Sequence, residues 1–188
     1  MKDTIRTFIA IKITPGKKLI ELINNFKKSF SEEEIRWVNT NNLHLTLRFL
    51  GETSKEQIHE IIKILETVPK RFQPFQFNLN GVGFFKRKNQ PKVLYAAVEK
   101  DLILKQLAFE IEENIIQLGF RHGEKEFTPH LTIGRFKYIS DKDSFYSLVN
   151  RFLETKIQQV TVSEIVFYQS ILSSNGPTYR PIKIVSLN

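Results

Sequence analysis

The sequence predicts an α+β protein with two pseudo-twofold-related lobes, each built from an antiparallel sheet and two helices, and with a groove between them. Two observations lead to this prediction. Strand-like and helix-like segments follow one another in the order strand, helix, strand, helix, strand, and this order occurs twice. No segment rich in Pro, Gly or Ser separates the two copies. We therefore expect a single domain over residues 1–188, formed by an internal duplication with halves at roughly 1–88 and 89–188.

The first half contains three predicted strands, rich in β-branched and aromatic residues, at 6–13, 43–50 and 75–85. A helix is predicted after Thr14, which is expected to cap it, because apolar residues then recur at helical spacing. A second helix is predicted after Ser54, which begins a Ser-Lys-Glu-Gln capping box. Both helices have one apolar face that can contribute to a core.

The second half repeats this order and adds a strand at its end. Asp101 is expected to cap its first helix, which ends near Gly119, and a shorter helix begins at about Asp141. The predicted strands of this half are 92–98, 128–136, 157–168 and 179–187.

The composition favours an anionic partner. Lys and Arg total 28 against 20 Asp and Glu, which gives a formal net charge of +8, and nucleic acid is the first candidate for such a basic protein. The chain has no cysteine, which excludes disulfides, thiolate zinc sites and cysteine nucleophiles. Neither a signal peptide nor a membrane-spanning stretch is recognisable, so we expect a cytoplasmic protein that does not bind membranes.

One four-residue motif occurs twice, as His44-Leu45-Thr46-Leu47 and as His130-Leu131-Thr132-Ile133. The spacing supports the duplication, because His44 follows Arg6 by 38 residues and His130 follows Lys92 by the same 38. On a strand, the His and Thr of each motif point to one face and the apolar residues to the other. If the halves are related by a pseudo-twofold axis, both polar pairs converge on one groove.

Two histidines facing each other suit phosphodiester chemistry. One imidazole can be neutral and act as a base while the other is protonated and acts as an acid, because histidine titrates near neutral pH. The hydroxyls of Thr46 and Thr132 would bond the non-bridging phosphate oxygens, where charge develops. We therefore predict that His44, His130, Thr46 and Thr132 are catalytic. The residues alone do not assign the donor and the acceptor.

The motifs offer a poor set of metal ligands. Two histidines without Cys, Asp or Glu in either motif do not make a convincing coordination shell. We expect neither a metal nor another cofactor.

Two arginines near the motifs are candidates for substrate binding. Arg48 shares strand parity with His44, so it is predicted to contact phosphate, with a solvated strand end as the alternative. Arg135 has the opposite parity from His130 and reaches the groove only if the strand twists or bends at Gly134.

Other residues are weaker candidates. Tyr168 is predicted to stack on a base, as aromatic residues of single-stranded RNA sites do. The basic segment 86–92 is either a phosphate-tracking loop or an ordinary exposed turn. His59 and His122 are expected to be uninvolved in catalysis.

The paired segments NLHLTLRFLGE and FTPHLTIGRF resemble the motifs of the 2H phosphoesterase superfamily. Within it, the chain is similar to the RNA 2',3'-cyclic phosphodiesterases of bacteria and archaea, also called 2'-5' RNA ligases. The similarity extends to RTFIAI, RWV, VLYAAV and VFYQSILSSNGPTY, and so covers nearly the whole chain.

The resemblance implies a bilobal fold without a cofactor and an RNA substrate with a 2',3'-cyclic phosphate end, which is hydrolysed to a 2'-phosphate. It also implies that His44 is the proton donor and His130 the acceptor. Two alternatives remain open, namely 2'-5' ligation at the same site and a non-catalytic basic module that binds RNA. Because a duplicated chain supplies both sides of the site, we expect a monomer.

Overall fold

The computed structural model describes residues 4–99, 101–123, 127–174 and 176–188. Its strands are β1 (Thr4–Lys12), β2 (Ile35–Trp37), β3 (His44–Ser54), β4 (Phe75–Arg87), β5 (Gln90–Val98), β6 (His130–Phe136), β7 (Lys156–Val162), β8 (Glu164–Ser173) and β9 (Gly176–Ser186). Its α-helices are α1 (Lys17–Ser29), α2 (Lys55–Thr67), α3 (Leu102–Ile116) and α4 (Lys142–Arg151). The predicted α+β class is confirmed.

The described strands form one curled antiparallel sheet rather than two separate ones. The order is β7-β4-β5-β6-β3-β1-β8-β9, and β2 pairs with β6 beside this path. The two lobes of the sheet meet at β3 and β6, whose one recorded pair joins Leu45 to Leu131. Because a single residue pair joins β3 to β6, the two lobes of the sheet can diverge on either side of that pair.

The repeats exchange strands. The last strand of the first half, β4, pairs with β5 of the second half, and β8 returns to pair with β1. The predicted repeat boundary near residue 88 falls in the turn between β4 and β5, where Lys88 and Asn89 have positive φ angles of 49° and 57°. Two such residues in succession are typical of the tight turn of a β-hairpin.

The two faces of the sheet differ in what covers them. The main core joins one face to the apolar sides of all four helices, with Ile9, Leu45 and Leu131 fully buried there. The opposite face carries a small cluster in which Phe8, Ala10, Val166 and Tyr168 pack together with Tyr179 alongside. The helix-free face is therefore the one on which polar strand residues remain accessible.

Most predicted helix starts are confirmed. Ser54 forms the full capping box with Gln57, and the side chains of Asp101 and Asp141 accept hydrogen bonds from the backbone N–H groups of Leu104 and Ser144. The prediction for Thr14 was wrong. Helix α1 begins at Lys17, and its N-cap is Gly16, which has no side chain to bond.

Two strand predictions also need correction. The segment predicted as one strand at 157–168 is divided between β7 and β8, which lie at distant positions in the sheet. The short β2 had not been predicted as a strand. It lies beside β6 because Gly134 has no side chain, and a Cβ there would come within 3.1 Å of the Trp37 ring.

No helix within the described part of the chain is long and apolar enough to cross a bilayer.

Candidate active site

Both His-x-Thr motifs lie where the two lobes of the sheet meet. Leu45 and Leu131 face each other across the β3–β6 pair and are fully buried on the helix side. In antiparallel register, Thr46 is therefore opposite His130 and Thr132 is opposite His44, and all four point to the helix-free face.

The two histidines are diagonal neighbours in this arrangement. Diagonal residues of a regular antiparallel pair lie about 7–8 Å apart. A separation of this order, which the effect of the His130 charge on the pKa of His44 supports, would admit one tetrahedral group between the two rings, with a threonine on each side. The predicted convergence of the two motifs on one face is what the strand pairing produces.

Each histidine is held in the same tautomer. The Nδ1 atom of His44 lies 2.7 Å from the carbonyl oxygen of Asn42, and Nδ1 of His130 lies 2.7 Å from that of Thr128. A carbonyl oxygen can only accept, so Nδ1 carries a proton in both rings. Nε2 is left as the atom that can take or give a proton on the open face.

Aromatic rings orient the imidazole of His44. The Phe8 ring centroid lies 4.9 Å away, and Tyr179 makes an edge contact at 5.0 Å and 83°. Burial raises the pKa of the Tyr179 phenol, so its hydroxyl stays protonated at neutral pH.

His130 has a matching aromatic environment from the other lobe. Phe85 approaches it edge-on at 4.9 Å and Tyr95 at 5.4 Å. The Tyr95 ring lies directly over Gly83, where a Cβ would come within 2.6 Å of it. Gly83 is therefore the position that lets Tyr95 reach His130.

The environment lowers the pKa of both imidazoles. Burial is the main cause, because a charged ring loses more solvation than a neutral one. The carbonyl bonds at Nδ1 oppose the shift, and the positive charge of Arg135 adds to it for both rings. His130 further lowers the pKa of His44. A bound phosphate anion would act in the opposite direction and favour the imidazolium form.

Arg135 faces the two histidines because β6 contains a β-bulge. Tyr95 pairs with Thr132 and Leu94 with Gly134, so Ile133 is an extra residue in β6. A bulge reverses the alternation of side chains beyond it. The bend foreseen at Gly134 is thus present, and Arg135 joins the face of His130 and Thr132.

The expected orientation of Arg48 is wrong for the same reason, whereas its role in substrate binding stays a prediction. In β3, Ala10 pairs with Thr46 and Ile9 with Arg48, so Leu47 is an extra residue. Arg48 therefore shares the helix-side face of Ile9, where its Nε lies 2.7 Å from a carboxylate oxygen of Glu112 on α3. Phe49 is the residue of β3 that corresponds to Arg135 in β6. Its side chain points to the helix-free face.

Tyr168 lies beside the histidines but is mostly covered. It is 8% exposed, and its ring packs against Phe8 at 5.2 Å. With Lys12, His44 and Tyr179 it lines a small pocket of about 180 Å³. The prediction that Tyr168 stacks on a base is left untested by this placement.

Five residues of this face had not been predicted, namely Phe8, Tyr95, Tyr179, Phe85 and Lys12. Each comes from a strand whose neighbours in the sheet cannot be read from the sequence. Lys12, for example, pairs directly with His44.

The described residues contain no group of three or more His, Asp or Glu side chains arranged to hold a metal ion. The basic segment 86–92 contains the tip of the β4–β5 hairpin, at Lys88 and Asn89. Its role in RNA binding stays a prediction.

The chain is similar to known proteins in sequence and in fold. The family model described as LigT like Phosphoesterase matches the chain twice, at residues 11–95 and 99–179. An RNA 2',3'-cyclic phosphodiesterase of Thermotoga maritima is 36% identical over 94% of this chain and 92% of its own. One from Methanocaldococcus jannaschii is 32% identical over 95% of this chain and 99% of its own. The crystal structure of E. coli LigT complexed with 3'-AMP is 26% identical and covers 99% of each chain, with a TM-score of 0.73.

Proposed function

The chain belongs to the LigT-like phosphoesterase family, and from this premise we propose that it hydrolyses the 2',3'-cyclic phosphate at the end of an RNA to a 2'-phosphate. The observation that carries the proposal is the diagonal pair of histidines on one face of the sheet, each with Nδ1 bonded to a backbone carbonyl, so that Nε2 is the atom that exchanges a proton. The names of the relatives give the reaction class, and the complex of E. coli LigT with 3'-AMP supports a nucleotide ligand.

In the proposed reaction, water attacks phosphorus in line with the bond to O3'. Nε2 of His130 takes a proton from the water as the new P–O bond forms. The P–O3' bond breaks, and Nε2 of His44 gives its proton to O3'. This assignment of donor and acceptor rests on the family resemblance, since the two rings have equivalent carbonyl bonds.

Thr46, Thr132 and Arg135 would stabilise the charge that builds up on the non-bridging oxygens. The threonines lie on the face of the histidines, and the bulge at Ile133 turns the guanidinium of Arg135 to the same face. Donors arranged in advance around a developing charge lower the barrier without reorganisation.

The lowered pKa values also fit an acid–base pair that is set up by its substrate. Without phosphate both rings favour the neutral form. A phosphate anion raises the pKa of the nearby imidazoles, so substrate binding itself would favour the protonated His44 that the reaction needs. We further propose a monomeric, cytoplasmic, metal-independent enzyme.

The test is turnover of a short RNA with a 2',3'-cyclic phosphate end, with the product identified by mass and isomer. We expect a 2'-phosphate, in EDTA as well as without it. His44→Ala and His130→Ala should each lower kcat by about 10²–10⁴, whereas His59→Ala on the exposed side of α2 should not. A longer product would indicate 2'-5' ligation, and binding without turnover would indicate a non-catalytic module.

A further inference from the structure

One pair of corresponding segments beside the site differs between the two lobes. Ile35–Trp37 begins nine residues before His44, and Arg121–Gly123 begins nine residues before His130. The first segment is β2, which pairs with β6 at Gly134–Phe136. By symmetry the second would pair with β3 at Arg48–Leu50. Within the described residues, no strand occupies that place.

The segment at Arg121–Gly123 is held by helix α3 instead. The backbone N–H of Gly123 donates to Glu112 at 2.8 Å, and the Arg48 side chain bonds both the carbonyl oxygen of Arg121 and the Glu112 carboxylate. Arg48 corresponds to Gly134 of the other lobe, the position whose missing side chain makes room for Trp37. The side chain of Arg48 thus explains why a strand fits on one side and not on the other.

A cavity of about 550 Å³ lies between β3 and α3, within the range of small-ligand sites. Its walls include the rings of Phe49, Phe109 and Phe127. Phe109 is 62% exposed and Phe49 47% exposed, which is unusual for side chains of this size in a protein with a well-filled core.

One wall of the cavity, Phe49, also lies on the catalytic face. Phe49 pairs with Phe8 across β1 and β3, and the Phe8 ring lies 4.9 Å from His44. The guanidinium of Arg6 lies 4.8 Å from the Phe49 ring on this face. A nucleotide that follows the sheet from the histidines past Phe8 reaches Phe49 next.

The charges around the cavity indicate which part of a nucleotide would enter. Its lining contains two positive and two negative side chains, so it has no net charge to hold a phosphate. Arg6, which is not part of the lining, lies beside Phe49 and favours a phosphate outside the cavity. Aromatic walls suit a neutral, flat ring. We infer that this cavity binds the nucleobase of the nucleotide that precedes the cyclic phosphate end, so that the enzyme selects oligonucleotides over single cyclic nucleotides. The inference rests on the proposed function for the identity of the ligand.

The test compares a mononucleoside 2',3'-cyclic phosphate with a dinucleotide that has the same cyclic end. The wild-type protein should show the higher kcat/KM on the dinucleotide. Stacking of a base on an aromatic side chain contributes about 1–3 kcal/mol, so Phe109→Ala should reduce the dinucleotide-to-mononucleotide ratio of kcat/KM by roughly 5- to 150-fold. Tyr138→Ala, which removes another exposed aromatic side chain outside the cavity, should leave the ratio unchanged.

Two results overturn the inference: equal kcat/KM on both substrates by the wild-type protein, or an unaltered ratio in Phe109→Ala. Calorimetry can compare the affinity for a dinucleotide 3'-phosphate with the affinity for 3'-AMP. This comparison tests the cavity without requiring that the protein hydrolyse either ligand. If nothing is hydrolysed but the dinucleotide binds more tightly and Phe109→Ala removes that advantage, the cavity stands and the proposed reaction fails. Equal affinities for the two ligands overturn the cavity as a base site.

Discussion

The charge of Arg135 acts on both imidazoles, and it does so because a single extra residue in β6 turns it to their face. Its guanidinium lowers the pKa of His44 and of His130, so it opposes the protonation that the acid requires while it favours binding of the phosphate. The effect of Arg135 on the histidine pKa values is seen in the pH dependence of activity, whereas its effect on phosphate binding is seen in kcat/KM. The two effects can therefore be measured separately.

Replacement of Arg135 by Gln is therefore expected to change activity and pH dependence together. Loss of a charged donor to the phosphate should lower kcat/KM by about 10- to 100-fold. Removal of the positive charge raises the pKa of both histidines, so both limbs of the kcat/KM profile should move to higher pH. Arg151→Gln on α4 is the matched control, because it makes the same substitution and removes the same charge. A profile that stays in place in Arg135→Gln would show that Arg135 does not act on the histidines.

The hydroxyls of Thr46 and Thr132 should matter in the transition state more than in substrate binding. Thr→Val at either position keeps the shape and removes the donor, and loss of one such donor costs about 10²–10³ in kcat. KM should change little. Thr161→Val on the edge strand β7 serves as the control, and a loss confined to KM would assign the hydroxyls to ground-state binding instead.

Among the elements, the hairpin of β4 and β5 depends on Gly83, over which the Tyr95 ring lies. Gly83→Ala places a methyl group within 2.6 Å of that ring, so Tyr95 must move away from His130. Overpacking of this kind costs about 1–3 kcal/mol, which urea unfolding followed by Trp37 fluorescence can measure, and kcat should fall with it. Adding Tyr95→Ala should restore the stability but not the rate. If the double variant is no more stable than Gly83→Ala, the contact with Tyr95 is not the cause.

The strands and helices could be predicted from the sequence, whereas the register in which the strands pair could not. The strands and helices were recognisable because their apolar patterns are long and their caps use ordinary residues, as Ser54 and Asp101 show. Arg48 was misplaced because one inserted residue at Leu47 reverses the alternation on which the prediction depended. The same insertion in β6 brought Arg135 into the site. A bulge is defined by the partner strand, so a single strand's sequence does not reveal it.

At the scale of the whole molecule, the duplication accounts for the paired motifs, but the strand order does not follow from it. Tyr179 reaches His44 only because β9 returns beside β8, and β8 beside β1. Contacts between residues so distant along the chain have no local signal. The repeated motif could be found in the sequence, whereas the aromatic residues around each histidine required the topology.

The net charge of +8 predicts that salt weakens turnover of longer RNA. Each phosphate contact made by a Lys or Arg adds about 0.7 to the slope of log binding against log salt for a single strand. Replacing both Arg87 and Lys88 in the basic turn with Gln should make this slope shallower by about 1–2. A cyclic mononucleotide, which does not extend to the turn, should be unaffected. An unchanged slope would leave 86–92 as an ordinary exposed turn.

The claim that one phosphate is held between two imidazoles is tested most directly by histidine NMR, following the ring resonances against pH with and without a 2'-phosphorylated mononucleotide. In the free protein, His44 and His130 should both titrate below the ordinary histidine pKa of about 6.5. The ligand should raise both pKa values. If only one of the pair responds, or neither, the two rings do not share a phosphate.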